Sequence, residues 1–132
     1  MITLERTGRQ PLSFTGELVF HSHSRRPITG RDRYHTVTVW QTAEGCFVCM
    51  VHYITEWQGE HSDRHGFKVP TASRLAEELE KYDPVKSVVG FPAIPKYAER
   101  QRQLMVGLRT RYEDLVSRLL SDPAICAEES HV

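Results

Sequence analysis

Ten consecutive residues, 46–55, read Cys-Phe-Val-Cys-Met-Val-His-Tyr-Ile-Thr, and they are apolar whichever way an extended chain is turned. Side chains alternate across a strand. Val48, Met50 and Ile54 therefore share one face, and Phe47, Val51 and Tyr53 share the other. A strand apolar on both sides is a central one, covered twice. This chain must supply two layers over that ribbon, or take one from a partner subunit.

The neighbouring segments provide most of the material. Residues 34–41 are rich in β-branched side chains and make the clearest strand. Thr42, Ala43, Glu44 and Gly45 form a hairpin turn into the central strand. Residues 13–22 alternate, with Phe14, Leu18 and Phe20 one way and Thr15, Glu17, Val19 and His21 the other. Gly16 interrupts this row and marks a bulge or bend. Residues 66–69 add a short fourth strand.

Helices follow. Pro70 and Thr71 introduce the first, with Thr71 as its N-cap; Ala72, Leu75, Leu79 and Tyr82 line one face, and Asp83-Pro84 stops it. Pro95 opens a second helix whose pattern runs to about residue 121. At 1.5 Å per residue it is about 40 Å long, against a radius of gyration of roughly 14 Å for a domain this size. It must span the molecule, kink near Gly107, or reach onto a neighbour. Arg100, Arg111 and Arg118 rim one edge of its apolar face, and Arg102 and Arg109 the other.

The expected fold class is thus α+β: an antiparallel meander of three to four strands, then a short helix and a long C-terminal helix packed on the sheet. Residues 1–121 form one domain, and 122–132 a flexible acidic tail. The order of elements resembles that of small single-stranded-DNA-binding domains in topology alone. A homo-oligomer, most simply a dimer, would use Tyr97, Leu104, Leu108, Tyr112, Leu115 and Leu119 as its interface.

Composition narrows function. Lys plus Arg equals Asp plus Glu at 17 each, so the chain is neutral overall, which argues against a wholesale nucleic-acid wrapper or a polybasic membrane binder. No window approaches a membrane span, no signal-peptide run opens the chain, and three cysteines suit a reduced compartment; a cytoplasmic protein is expected. Cys46 and Cys49, three apart in a strand, project to opposite faces and cannot share a metal.

Residues 56–66 carry Glu56, Trp57, Glu60, His61, Asp63 and His65. On a helix His61 and His65 would suit zinc, but Gly59 and Gly66 bracket them, and an extended chain holds them about 13 Å apart. The expected reading is a solvated loop, with Glu56 and Glu60 in water. His21 and His23 are read as surface histidines at a strand end. A metal-dependent enzyme using His21, His23, His61 and His65 is the alternative; no metal, cofactor or catalytic residue is expected.

The sharper pattern is basic and aromatic. Arg25, Arg26, Arg31 and Arg33, less Asp32, give residues 24–35 a local charge of +3. Tyr34 and Trp40 follow on one strand face, and Trp57 comes from the next connection. Guanidinium groups hold phosphates while exposed rings stack on bases. The expected function is a non-enzymatic binding module for single-stranded nucleic acid using these seven residues. The alternative is a protein–protein adaptor or assembly subunit acting through the long helix.

Overall fold

In the computed structural model, residues 1–89 and 94–126 are described. The central ribbon is a strand, β5 (Phe47–Thr55), and it lies inside a sheet. Before it comes β4 (Arg33–Thr42), and after it β6 (Asp63–Val69); β3 (Gly16–His23) lies outside β4. The four pair antiparallel in the order β3-β4-β5-β6, a meander as expected. Phe47, Val48, Cys49 and Val51 are fully buried, and Met50 and Tyr53 nearly so. Both faces of β5 are therefore covered.

One covering is helical. It consists of α1 (Ala72–Lys81) and α2 (Ala98–Ser121), the latter entered through a 3-10 turn at Pro95–Tyr97. Thr71 caps α1 by accepting a hydrogen bond from the Arg74 amide at 3.2 Å. Val37, Val39, Phe47, Cys49 and Val51 meet Leu75 and Leu79 of α1 and Tyr112, Leu115, Val116 and Leu119 of α2. The Tyr112 hydroxyl donates to the Leu79 carbonyl at 2.7 Å, stitching the helices together. Burial in this layer pushes the Cys49 thiol far above its ordinary range. Helix α2 runs through Gly107 without interruption. Four residues expected to face a partner, Leu108, Tyr112, Leu115 and Leu119, are buried in the chain's own core. The apolar row points inward because the sheet beneath it has no other cover. Of the expected interface only Tyr97 and Leu104 remain partly exposed.

The second covering comes from a hairpin that the alternation did not reveal. It pairs β1 (Ile2–Arg6) with β2 (Arg9–Phe14) across a turn at Gly8, whose φ of 71° suits glycine. Phe14 packs edge-on against Trp40, with ring centroids 5.5 Å apart. The Thr7 amide donates to the Arg64 carbonyl at 3.0 Å, and the Arg64 amide donates to the Thr7 hydroxyl at 2.8 Å. The Arg6 side chain lies so close over Gly66 that a Cβ there would sit 3.0 Å from Arg6 Cδ. No partner subunit is needed for this layer.

The hairpin also divides what reads as one strand over 13–22. Phe14 ends β2 and Gly16 begins β3, so Phe14, Leu18 and Phe20 do not form one row. A Cβ on Gly16 would lie 2.6 Å from the Gln41 carbonyl oxygen, so this glycine permits close strand approach. The register shift falls between Leu18 and Phe20. It leaves Leu18 in solvent while Val19 and Phe20 both pack against the core.

Beyond α2, Asp122 caps a further helical turn, α3 (Pro123–Cys126), its carboxylate accepting from the Ala124 amide at 2.9 Å. Ile125 of α3 is buried in the main core. The packed structure thus extends past residue 121; the rest of the expected tail, 127–132, lies outside the described residues. Among the described residues no helix is long and apolar enough to cross a membrane.

Candidate functional site

At the end of the sheet where β4 begins, the core changes chemistry. Arg33, the first residue of β4, and Glu60, from the connection between β5 and β6, form an ion pair with side chains only 9% and 1% exposed. Glu60 accepts from Arg33 Nε at 2.8 Å, from Arg33 Nη2, from the Tyr53 hydroxyl at 2.8 Å and from the Thr55 hydroxyl at 3.1 Å. Burial works to raise the Glu60 carboxyl, but hydrogen bonds from Arg33 and Tyr53 outweigh it and hold it below its usual range. Burial works to lower the Arg33 guanidinium, and Glu60 more than offsets that.

Asp32, one residue earlier, is wholly buried. It accepts from the Arg26 amide at 3.1 Å and from Arg26 Nη2 at 2.7 Å, and Arg111 Nη1 of α2 lies 3.5 Å away. Here too burial raises the carboxyl and its hydrogen bonds with Arg26 outweigh it, leaving it lowered. Glu56 completes the frame by accepting from the Asp32 amide at 2.7 Å and from Arg25 Nη2 at 3.1 Å. Glu56 and Glu60 are thus anchors that tie the 56–62 connection to the arginine loop. The expectation that both carboxylates are simply solvated is corrected: Glu60 is desolvated beneath the three side chains, Arg33, Tyr53 and Thr55, that donate to it.

These anchors hold Trp57 outward, 42% exposed. The Arg33 guanidinium carbon lies 5.2 Å from its ring centroid and that of Arg31 lies 5.6 Å away. Between this ring and α2 is a cleft of about 510 Å³. The loop side of the cleft is formed by Arg26, Arg31, Arg33 and Trp57, and the helix side by Gln103, Leu104, Gly107, Thr110 and Arg111.

Of the seven residues expected to bind nucleic acid, five gather here: Arg25, Arg26, Arg31, Arg33 and Trp57. Three of the arginines are held by acids: Arg25 by Glu56, Arg26 by Asp32, and Arg33 by Glu60. Among the described residues Arg31 has no carboxylate within ion-pairing distance. Tyr34 lies under the Arg25 guanidinium at 5.8 Å, on the sheet face opposite to that of Arg33 and His35. Trp40 is separate, half-buried against Phe14. Arg111, Gln103 and Gly107 escaped the sequence reading. Only the rim position of Arg111 hinted at a role, and nothing in the spacing connects it to a loop eighty residues earlier.

The histidines scatter. His21 shares a 2.8 Å hydrogen bond with the Thr38 hydroxyl, and His23 Nδ1 accepts from the Arg25 amide at 3.1 Å. His61 is exposed, while His65 packs its ring 5.3 Å from that of Tyr82. Burial, followed by the charge of Lys86, lowers the pKa of His65. Among the described residues no three His, Cys, Asp or Glu side chains are grouped to hold a metal. His35 is the unusual one. It is wholly buried, ringed by Tyr53, Tyr82 and Tyr112 at centroid distances of 5.4, 5.8 and 5.1 Å. Among the described residues neither ring nitrogen has a hydrogen-bond partner. The Pro84 carbonyl is near enough to be felt electrostatically without reaching bonding geometry, and burial holds the imidazole down at about 4.

No family model matches the chain, and neither a curated protein nor a solved structure does.

Proposed function

We propose that this chain is a non-enzymatic binding module for single-stranded nucleic acid, with its contact surface at the arginine loop and Trp57. The observation that carries the reading is an exposed indole beside a guanidinium, Arg31, that no acid among the described residues neutralises, at the mouth of a cleft. Trp57 would stack on a base, Arg31 and the half-exposed Arg26 would hold phosphates, and Arg25 over Tyr34 would extend the track around the sheet end. Arg33 has a different role, supporting the indole from a buried, ion-paired position. Trp40 is left out, since Phe14 packs against it. We place the protein in the cytoplasm, where three cysteines without a disulfide are the rule.

A fluorescence titration with a single-stranded oligonucleotide and its duplex tests this reading. Quenching of Trp57 by the single strand is expected, together with binding of a dye-labelled single strand that weakens about tenfold or more in both Trp57→Phe and Arg31→Ala. Unchanged binding in both variants would retire the surface.

One observation favours a second reading, an assembly subunit. Val106, 58% exposed, sits with Ala98, Met105 and Val85 around a hollow of about 620 Å³ on the outer side of α2. A partner helix, from another protein or a second copy, would cover it. Light scattering that stays monomeric at high concentration, with no mass change in Val106→Glu, would count against self-association there.

A further inference from the structure

The cleft beside Trp57 has Gly107 in the middle of its helix side. Gly107 lies mid-helix, where glycine costs stability relative to alanine by about 1 kcal/mol. A Cβ built on it would meet nothing within 4 Å. No packing among the described residues requires this glycine, yet its absent side chain keeps the wall of the cleft open. Gln103 and Thr110, at i−4 and i+3 from it, line the same wall. The Gln103 amide nitrogen donates to Glu99 at 3.2 Å, which leaves its carbonyl oxygen as an acceptor facing no donor among the described residues. Leu104, partly exposed, adds apolar surface between them, backed by the buried Leu108.

From these features we infer that the cleft takes one nucleobase edge-first between Trp57 and α2, so that the ligand unit recognised is a single nucleoside monophosphate. This rests on the binding reading above and narrows it to a strand end or an unpaired, turned-out nucleotide. The volume of about 510 Å³ lies in the range of pockets that enclose a small ligand, roughly 300–1,000 Å³. The base lies against Trp57 on one side and Leu104 on the other. Its polar edge meets the Gln103 carbonyl and the Thr110 hydroxyl, and the phosphate remains at the mouth. Four arginines line the cleft, Arg26, Arg31, Arg33 and Arg111, against two acids, Asp32 on the lining and Glu60 behind Arg33; the balance of +2 favours an anion. Arg33 is clamped by Glu60 and stays under the indole. Arg31, exposed and without a carboxylate partner among the described residues, is the group that yields its place over the ring to the base.

The test fills the cleft from the helix. Gly107→Leu starts from a Cβ that meets nothing within 4 Å among the described residues and extends a side chain from the cleft wall, and Gly107→Ala reports the effect of helix propensity alone. Binding of adenosine monophosphate, of a single-stranded 12-mer and of an abasic 12-mer is measured by equilibrium titration for each variant. Melting temperature is measured in parallel. The expected result is that adenosine monophosphate binds and competes with the 12-mer. Gly107→Leu should weaken both at least tenfold while melting at or above the parent temperature, and the abasic strand should bind the parent as weakly as the 12-mer binds Gly107→Leu. A 12-mer that binds the parent, the Leu variant and the abasic form alike would overturn the insertion and leave surface binding standing. Adenosine monophosphate binding with no 12-mer binding would keep the pocket and overturn the strand reading. Absence of all binding overturns both.

Discussion

The two ends of the central sheet are held together by opposite means. At the end where β4 finishes and β5 starts, Val39, Phe47 and Val69 share one apolar cluster with Leu115 and Leu119. At the other end Arg33, Glu60, Asp32 and Tyr53 fill the equivalent space with buried charge and hydrogen bonds. Apolar packing is forgiving of direction. A buried ion pair is not, because its partners must stay in hydrogen-bonding geometry to offset their desolvation. The polar end therefore fixes the position of a loop that has little apolar surface of its own. That loop carries the exposed Trp57. Geometry is thus specified most strictly where a ligand would be met, and stability is supplied elsewhere.

Substitutions at the two ends separate these roles. Glu60→Ala leaves Arg33 buried and unpaired, and the expected loss is about 3–5 kcal/mol in chemical denaturation. A joint Arg33→Met, Glu60→Leu replacement should recover most of that stability while losing the fixed position of Trp57, read as a red-shifted and more mobile indole emission. Equal destabilisation by the single and the double change would show that the pair is not the specifying element. Leu115→Ala, at the apolar end, should cost roughly 2–5 kcal/mol and leave the Trp57 emission where it was.

Between the ends lies His35, and it gives the fold an acid-sensitive centre. Its folded pKa of about 4 is below the ordinary 6.5, so the folded state prefers the neutral ring. The stability it contributes is complete above 6.5 and is lost as pH falls from there towards 4, reaching roughly 3 kcal/mol. Asp32 and Glu60 add a further loss in the more acidic range, since both carboxyls are held below their ordinary values. His35→Phe should flatten the stability profile between pH 6.5 and 4 and leave the steeper carboxylate region intact. A profile unchanged by that substitution would show that the ring is not held neutral. At the small end of the scale, Thr71→Ala should remove the α1 cap for about 1 kcal/mol with no change at the loop.

How much of this was legible differs between the same two ends. The apolar end was readable because burial leaves periodic traces: the doubly apolar β5, the β-branched β4 and the Leu75–Leu79 face of α1 announce their surroundings. The β1–β2 hairpin left a fainter trace. Ile2, Leu4 and Leu12 are spread among Arg, Glu and Thr, and only the Thr7-Gly8 turn punctuates them. The split at Thr15 was hidden because alternation continues across it while the chain changes sheets. At the polar end, sequence placed Arg25 to Arg33 and Trp57 near one another, but it could not say which charges were already paired. A glutamate between Gly59 and His61 reads as solvated unless its partner, twenty-seven positions away, is known to meet it. Arg111 and Gly107 join the site only through the docking of α2, which no local pattern encodes.

The central claim is that Arg25 and Arg33 are tied to acids of the chain itself, and that Arg31, with Arg26 half-exposed beyond its Asp32 partner, is what a nucleic acid would feel. The salt dependence of single-strand binding tests it most directly, since log K falls with log salt by about 0.7 per phosphate neutralised. The account predicts a slope of about −1.4 from Arg31 and Arg26 together, reduced by about 0.7 in Arg31→Ala and unaltered by the Arg33→Met, Glu60→Leu pair. A slope near −3, falling equally for each of the four loop arginines, would contradict it.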